Sequence, residues 1–231
     1  MNGLEQSKFN RRSLLGASLG GAALLALPAC ATYPQFSLTE AIRRLLLRAT
    51  ENAFARLTAP DGYWDEQVAR LGLSNLLGTR GDVLASILTS ALFKSRLEEA
   101  FADIAIEGSY VAAPIVRDAV EVIGFQNAIA IVRGGPTAAS ELLRGEMGGT
   151  LIEAMVPELG EAIRIASDPL VAQLINATTG TDVGGIAQRL SGRIDDAVWT
   201  EIGREEAAIR ANPEATRDPV LIGVFGAAAQ I

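Results

Sequence analysis

Ser37-Leu38-Thr39-Glu40-Ala41-Ile42-Arg43-Arg44-Leu45-Leu46-Leu47-Arg48-Ala49-Thr50-Glu51-Asn52-Ala53-Phe54-Ala55-Arg56-Leu57 is the stretch that decides the fold class. It opens with a capping box: the Ser37 hydroxyl and the Glu40 carboxylate can each answer an orphan backbone N–H at a helix start. Leu38, Ala41, Ile42, Leu45, Leu46, Ala49, Ala53 and Leu57 then recur at helical spacing. Arg43, Arg44, Arg48, Glu51 and Asn52 fall on the other face. The pattern is an amphipathic helix that must bury one side against other elements.

Toward the C-terminus the same period continues. Pro60-Asp61-Gly62 breaks the first helix with turn residues. A shorter helix is predicted over 66–77, a break at 78–81, and a long helix from about residue 82 to 105. Helices of about ten residues are predicted from Pro114, Gln126 and Pro136, and a longer one over 150–166. Asp168-Pro169 and Asp218-Pro219 each pair a capping acceptor with proline at the first helical position. Ile194, Val198, Ile202 and Ile209 stripe the last long helix. Ala128–Val132 has the composition of a strand, but helical neighbours on both sides argue for helix. The expectation is an all-α, single-domain multi-helix bundle over 37–231, without sheet or internal repeat.

Upstream lies a different kind of segment. Asn10-Arg11-Arg12-Ser13-Leu14-Leu15 begins an apolar run over 14–27 that closes in Leu27-Pro28-Ala29-Cys30. Basic residues, a short apolar core and small residues before a cleavage point form an export pattern. The core is too short, and with Gly16, Gly20 and Gly21 too glycine-rich, to span a bilayer. Arg11 and Arg12 with weak hydrophobicity resemble a twin-arginine leader. Leu27-Pro28-Ala29-Cys30 resembles a lipobox in which the Cys30 thiol receives a diacylglycerol, although Pro28 stands where a small or β-branched residue is usual. The competing reading takes Ala29-Cys30-Ala31 as an ordinary cleavage site that releases a soluble periplasmic protein. We therefore expect a cleaved twin-arginine-type lipoprotein signal at 1–29, a lipid-attachment cysteine and tether at 30–36, and a helical domain beyond. Ala31 after the cysteine resembles outer-membrane sorting, so the expected location is the periplasmic face of the outer membrane. Membrane attachment would come through lipid on Cys30.

Composition narrows the chemistry. Of 231 residues, 49% are hydrophobic and 20% charged, the balance of a folded chain. The net charge is −7, and the leader is itself basic, so the remainder is more acidic still. Such a body repels phosphate backbones, and nucleic acid is not an expected partner. There is no histidine, which removes Ser-His-Asp and Cys-His catalysis and the commonest zinc ligand. One cysteine allows no intrachain disulfide and no thiolate cage. No cofactor is expected, although carboxylates could still hold a hard cation.

Three blocks carry a resemblance. Ile123-Gly124-Phe125-Gln126-Asn127-Ala128 leads to Ile131-Val132-Arg133-Gly134 and on to Ala138-Ala139-Ser140. Glu205-Glu206-Ala207-Ala208-Ile209-Arg210 with Pro213 is the second block, and Val224-Phe225-Gly226 the third. With Leu38 to Ile42 and the Asp61-Gly62-Tyr63 turn, they resemble the bacterial domain of unknown function 4197 family across nearly all of the mature chain. The family shows an acidic residue where Asn127 stands, and an Arg-Thr-Thr run where Thr216-Arg217-Asp218 stands. It has basic residues where Ile222 and Gly223 precede the last block, and the segment at 72–81 is shortened here. The resemblance implies an exported helical protein and brings no activity with it.

Candidate sites are few. Asp61-Gly62-Tyr63-Trp64-Asp65-Glu66 lacks the alternating oxygen ligands of a calcium loop and reads as a capped turn whose Trp64 packs on the core. Gly134-Gly135-Pro136-Thr137 opens a helix but lacks the Lys-Ser/Thr ending and preceding strand of a phosphate loop. Thr179-Gly180-Thr181-Asp182 through Gly185 reads as a connection. Within Glu98-Glu99, Asp195-Asp196 and Glu205-Glu206, helical neighbours point about 100° apart, so each pair supplies at most one group to a site. Arg133, ahead of a glycine stop, suits the negative end of a helix dipole. A sharper expectation has it reach Glu205 or Glu206, with Glu205 favoured because Glu206 already has Arg210 four residues on. The function expected is a non-enzymatic, lipid-anchored module that binds a protein or apolar partner. The alternative is a histidine-free hydrolase using two carboxylates.

Overall fold

The computed structural model describes residues 37–60, 62–72, 91–165 and 183–226. The expected leader with Arg11 and Arg12, the expected attachment site Cys30, the expected break at 78–81 and the expected Asp168-Pro169 start lie outside them. The chain divides into Met1–Phe36 and Ser37–Ile231, and every described residue belongs to the second unit.

Among the described residues there are eight α-helices and no strand: α1 Leu38–Leu57, α2 Tyr63–Leu71, α3 Ala91–Val122, α4 Ala128–Val132, α5 Ala138–Met147, α6 Thr150–Ile165, α7 Val183–Ala211 and α8 Pro219–Leu221. A 3-10 turn, Pro213–Thr216, precedes α8, and a π turn, Ile222–Gly226, follows it. The all-α reading holds.

At the start of α1 the Glu40 N–H donates to Ser37 Oγ at 3.0 Å. The Glu40 carboxylate turns to Arg44 Nε at 2.8 Å instead of back to the cap, so half of the capping box is used. Ala41, Ile42, Leu45, Leu46, Ala49, Ala53 and Leu57 are all fully buried. Their stripe lies against α7, a helix of about 44 Å at 1.5 Å per residue. Asn52 reaches Glu205 while Arg56 reaches Glu201, so a step forward in α1 matches a step back in α7 and the two run antiparallel.

Three helices differ from the sequence expectation. Helix α4 spans five residues and not the ten expected from Gln126, because the chain bends again at Gly134. Tyr63 to Glu66 form the first turn of α2 and not a loop. Trp64 is 2% exposed, and its Nε1 donates to Ser109 Oγ at 3.0 Å, which in turn donates to the Ala105 carbonyl. Pro114 does not begin a new helix but sits inside α3, which runs unbroken for 32 residues. A proline there forfeits one backbone bond, a cost of about 3 kcal/mol in a helix interior. Pro114 and Tyr110, four residues before it, are both exposed, so water can solvate the freed carbonyl. Ala112, Val116 and Val120 are fully buried on both sides of it and carry the helix through.

Close packing at the centre depends on Gly108. A Cβ built there would lie 2.5 Å from Ile194 Cδ1 and 3.0 Å from Leu159 Cδ2, so α3, α6 and α7 meet at this point. No described helix is long and apolar enough to cross a membrane.

Candidate functional site

The chain between α3 and α5 bends twice within fifteen residues. Phe125 is buried and anchors the first bend. Asn127 then caps α4, its Oδ1 accepting from the Ala130 N–H at 3.2 Å. An acidic side chain at this position could accept the same bond. Gly134 makes the second bend: a Cβ there would meet Ala138 Cβ at 2.7 Å and the Ala130 carbonyl oxygen at 3.0 Å. Helix α5 follows, but Thr137 makes no capping bond to it and donates its hydroxyl to Glu141 instead.

The missing cap comes from α7. The Ala139 N–H donates to Glu206 Oε1 at 3.0 Å and the Ser140 N–H to Glu206 Oε2 at 2.7 Å. Glu206 is fully buried, with its negative charge at the positive end of α5. Arg210, one turn further along α7, donates Nε to Glu206 Oε1 at 2.8 Å. Its other nitrogens donate to the Val132 and Ile131 carbonyls at 3.0 and 3.1 Å, so a cation closes the negative end of α4. Its guanidinium carbon lies 4.8 Å from the centre of the Phe225 ring. Gly203 lets α7 come this close, since a Cβ there would stand 3.2 Å from Thr137 Cγ2. One ion pair thus ends one helix, begins the next and holds the C-terminal π turn. It joins all three of the sequence blocks that carry the resemblance.

The expected pair of Arg133 and Glu205 is not brought together. Arg133 is exposed and caps α4 through its backbone N–H, and among the described residues it takes part in no ion pair. Glu205 is held by Arg56, Arg204 and Asn52. The tie between the blocks exists, but Glu206 and Arg210 make it. The available signal was position: Glu206 stands four residues after Ile202 on the stripe Ile194, Val198, Ile202, where an apolar residue belongs.

Other carboxylates are likewise answered by arginine. Glu201, 6% exposed, pairs with Arg56 at 3.3 Å and Arg204 at 2.9 Å. Burial and then the nearby Glu201 charge push the Tyr63 hydroxyl above its ordinary pKa. Asp195 and Asp196 converge on one Arg144 nitrogen at 2.9 and 2.7 Å, against the expectation that helical neighbours share nothing, because Arg144 reaches between them from α5. Burial raises the Asp195 pKa, opposed by bonds from Trp199 Nε1 and Arg144. Glu98 lies 3.5 Å from Lys94. Among the described residues no group of three or more acidic or sulfur ligands could hold a metal ion.

Along the helices that the ion pair fixes runs a cleft of about 740 Å³. Its floor is apolar, from Ile123, Ala130, Ile131, Ala138 and Leu142. Gln126 and Asn127 offer side-chain amides, and Glu146 is the one charged residue of the lining. Val122 and Ile129, next in sequence to lining residues, are 84% and 58% exposed. Sequence reasoning did not find this cleft, because it depends on how α4, α5 and the turn after α3 close on one another.

No curated protein and no solved structure matches the chain significantly. A family match covers residues 32–226, which takes in the ion pair, all three blocks and the whole cleft, and by it the chain belongs to the family described as protein of unknown function, DUF4197.

Proposed function

We propose that this protein is a lipid-anchored periplasmic module without catalytic activity, and that it binds an apolar partner in the α3–α5 cleft at the cell envelope. The observation that carries the reading is the cleft itself. It has a mostly apolar lining and a volume typical of binding sites. The Glu206–Arg210 pair supports it by holding the helices that form the walls. The anchor rests on the leader pattern ending at Cys30, since several acyl chains at about 0.8 kcal/mol per buried CH₂ make attachment lasting.

Hydrolysis by two carboxylates needs two carboxyl groups roughly 5 to 9.5 Å apart across one cleft. This cleft offers Glu146 alone, and Asp195, Glu201 and Glu206 are each engaged by arginine. The binding reading is therefore the better supported of the two.

The test is made in intact cells. A photo-crosslinking residue at Ala130, in the cleft, should capture a reproducible partner, whereas one at the exposed Ala55 of α1 should not. Equal capture at both positions, or at neither, would remove the cleft from the account. Separately, Cys30→Ala should move the protein out of the membrane fraction, and Arg11→Lys with Arg12→Lys should block export. A Cys30→Ala protein that still sediments with membranes would end the lipid-anchor reading.

A further inference from the structure

We infer that the occupant of the α3–α5 cleft is a cationic, amphipathic peptide segment of a partner protein, with apolar side chains on the floor and a lysine or arginine at Glu146. The inference rests on the binding role proposed for this cleft and names the chemistry of its ligand.

Glu146 carries the argument. It is exposed, lines an otherwise uncharged cleft, and among the described residues it takes part in no ion pair. Arg144, the nearest cation in sequence, is committed to Asp195 and Asp196. Glu146 also lies one residue before the end of α5, whose C-cap is Gly148, where the helix dipole disfavours a negative charge. An unpaired carboxylate at the wrong end of a helix, beside an apolar floor, gains most from a cation arriving with the ligand. The net charge of −7 acts in the same direction over longer range.

A peptide fits the remaining groups better than a lipid does. Asn127 spends its Oδ1 on capping α4, which leaves its amide hydrogens for a peptide carbonyl, and Gln126 beside it offers both donor and acceptor. A helical ligand lays apolar anchors into such a groove at i, i+3 or i+4, and i+7, and its polar face brings the cation to the rim. A fatty acid or phospholipid would set a negative headgroup against Glu146 or bury a charge without a partner. A second copy is disfavoured because, among the described residues, the cationic apolar segment around Arg43, Arg44 and Leu45 to Arg48 already buries its apolar face in the bundle as part of α1.

The experiment titrates the purified full chain against two fluorescent amphipathic peptides of one apolar pattern, one of leucine and lysine, the other of leucine and glutamate, with palmitate as a third probe. The leucine–lysine peptide should bind at least about tenfold more tightly than its acidic twin. Glu146→Gln should weaken it about threefold to fivefold, as for a surface ion pair, and Glu146→Lys further, narrowing the preference. Ala130→Trp, on an exposed position that fills the cleft, should abolish binding while the protein still melts as the parent does. If both peptides bind alike and the Glu146 variants change nothing, the charge assignment is wrong while the cleft survives. Palmitate binding blocked by Ala130→Trp, without peptide binding, overturns the inference in favour of lipid. Self-association lost in the same variant overturns it in favour of a second copy. If Ala130→Trp affects no probe, the cleft reading itself fails.

Discussion

Glu205 and Glu206 are adjacent in sequence and belong to two different kinds of region. Glu206 points into the bundle, is fully buried, and has every oxygen occupied by backbone N–H groups and Arg210. Glu205 is itself only 13% exposed, but Arg56 and Arg204, both about half exposed, share it with Asn52. Water can replace the second set of partners and cannot replace the first. A charge pair therefore matters through what it leaves unsatisfied when broken, and the length of the ion contact says little about it.

The largest expected effect is at the buried carboxylate. Glu206→Ala leaves Arg210 with 10% side-chain exposure and no anion, and strips two N–H groups of α5 of their acceptor. A loss of about 3–5 kcal/mol is expected, read as a fall in the urea midpoint. Next is Gly203→Val, which pushes on Thr137 and should cost about 1–3 kcal/mol by forcing the start of α5 outward. Gly192→Ala, in the same helix with open space around it, should instead stabilise by about 1 kcal/mol. Were both glycine variants to shift thermal unfolding in the same direction, the close approach at Gly203 would not matter.

Much of the fold was legible because helices announce themselves locally. The buried stripe of α1, the Asp218 cap and the helical state of Ala128–Val132 all follow from spacing and capping chemistry within a few residues. Pro114 misled because a proline boundary is a local rule, and buried residues on both sides of it overrode that rule. The site was less legible for the same reason. A helix start capped at Ala139 by a residue 67 positions later leaves only one trace in sequence, a glutamate on an apolar stripe. Glu146 leaves none, since its importance comes from a cleft that two helices and the turn before them close.

Asp195 sharpens the comparison in a different way. Burial raises its pKa, so the folded state holds that proton more tightly than the unfolded chain does. The stability this contributes is full below the ordinary carboxylate range and is lost as pH rises through the folded value. The stability of the parent relative to Asp195→Asn should therefore decline with rising pH across that window, measured by urea titration at several pH values. A difference that grows with pH would mean that Arg144 and Trp199 outweigh burial. Smallest of all, Glu205→Ala should change stability by less than about 1 kcal/mol, because its partners remain solvated.

The most direct measurement is amide hydrogen exchange at Ala139 and Ser140. First-turn N–H groups of a helix have no partner within the helix and exchange readily when water is their only acceptor. Here both donate to a fully buried carboxylate, so slow exchange is expected at these two positions, together with its loss in Glu206→Gln. Rapid exchange at Ala139 and Ser140 in the unaltered protein would contradict the claim that Glu206 and Arg210 hold the walls of the cleft.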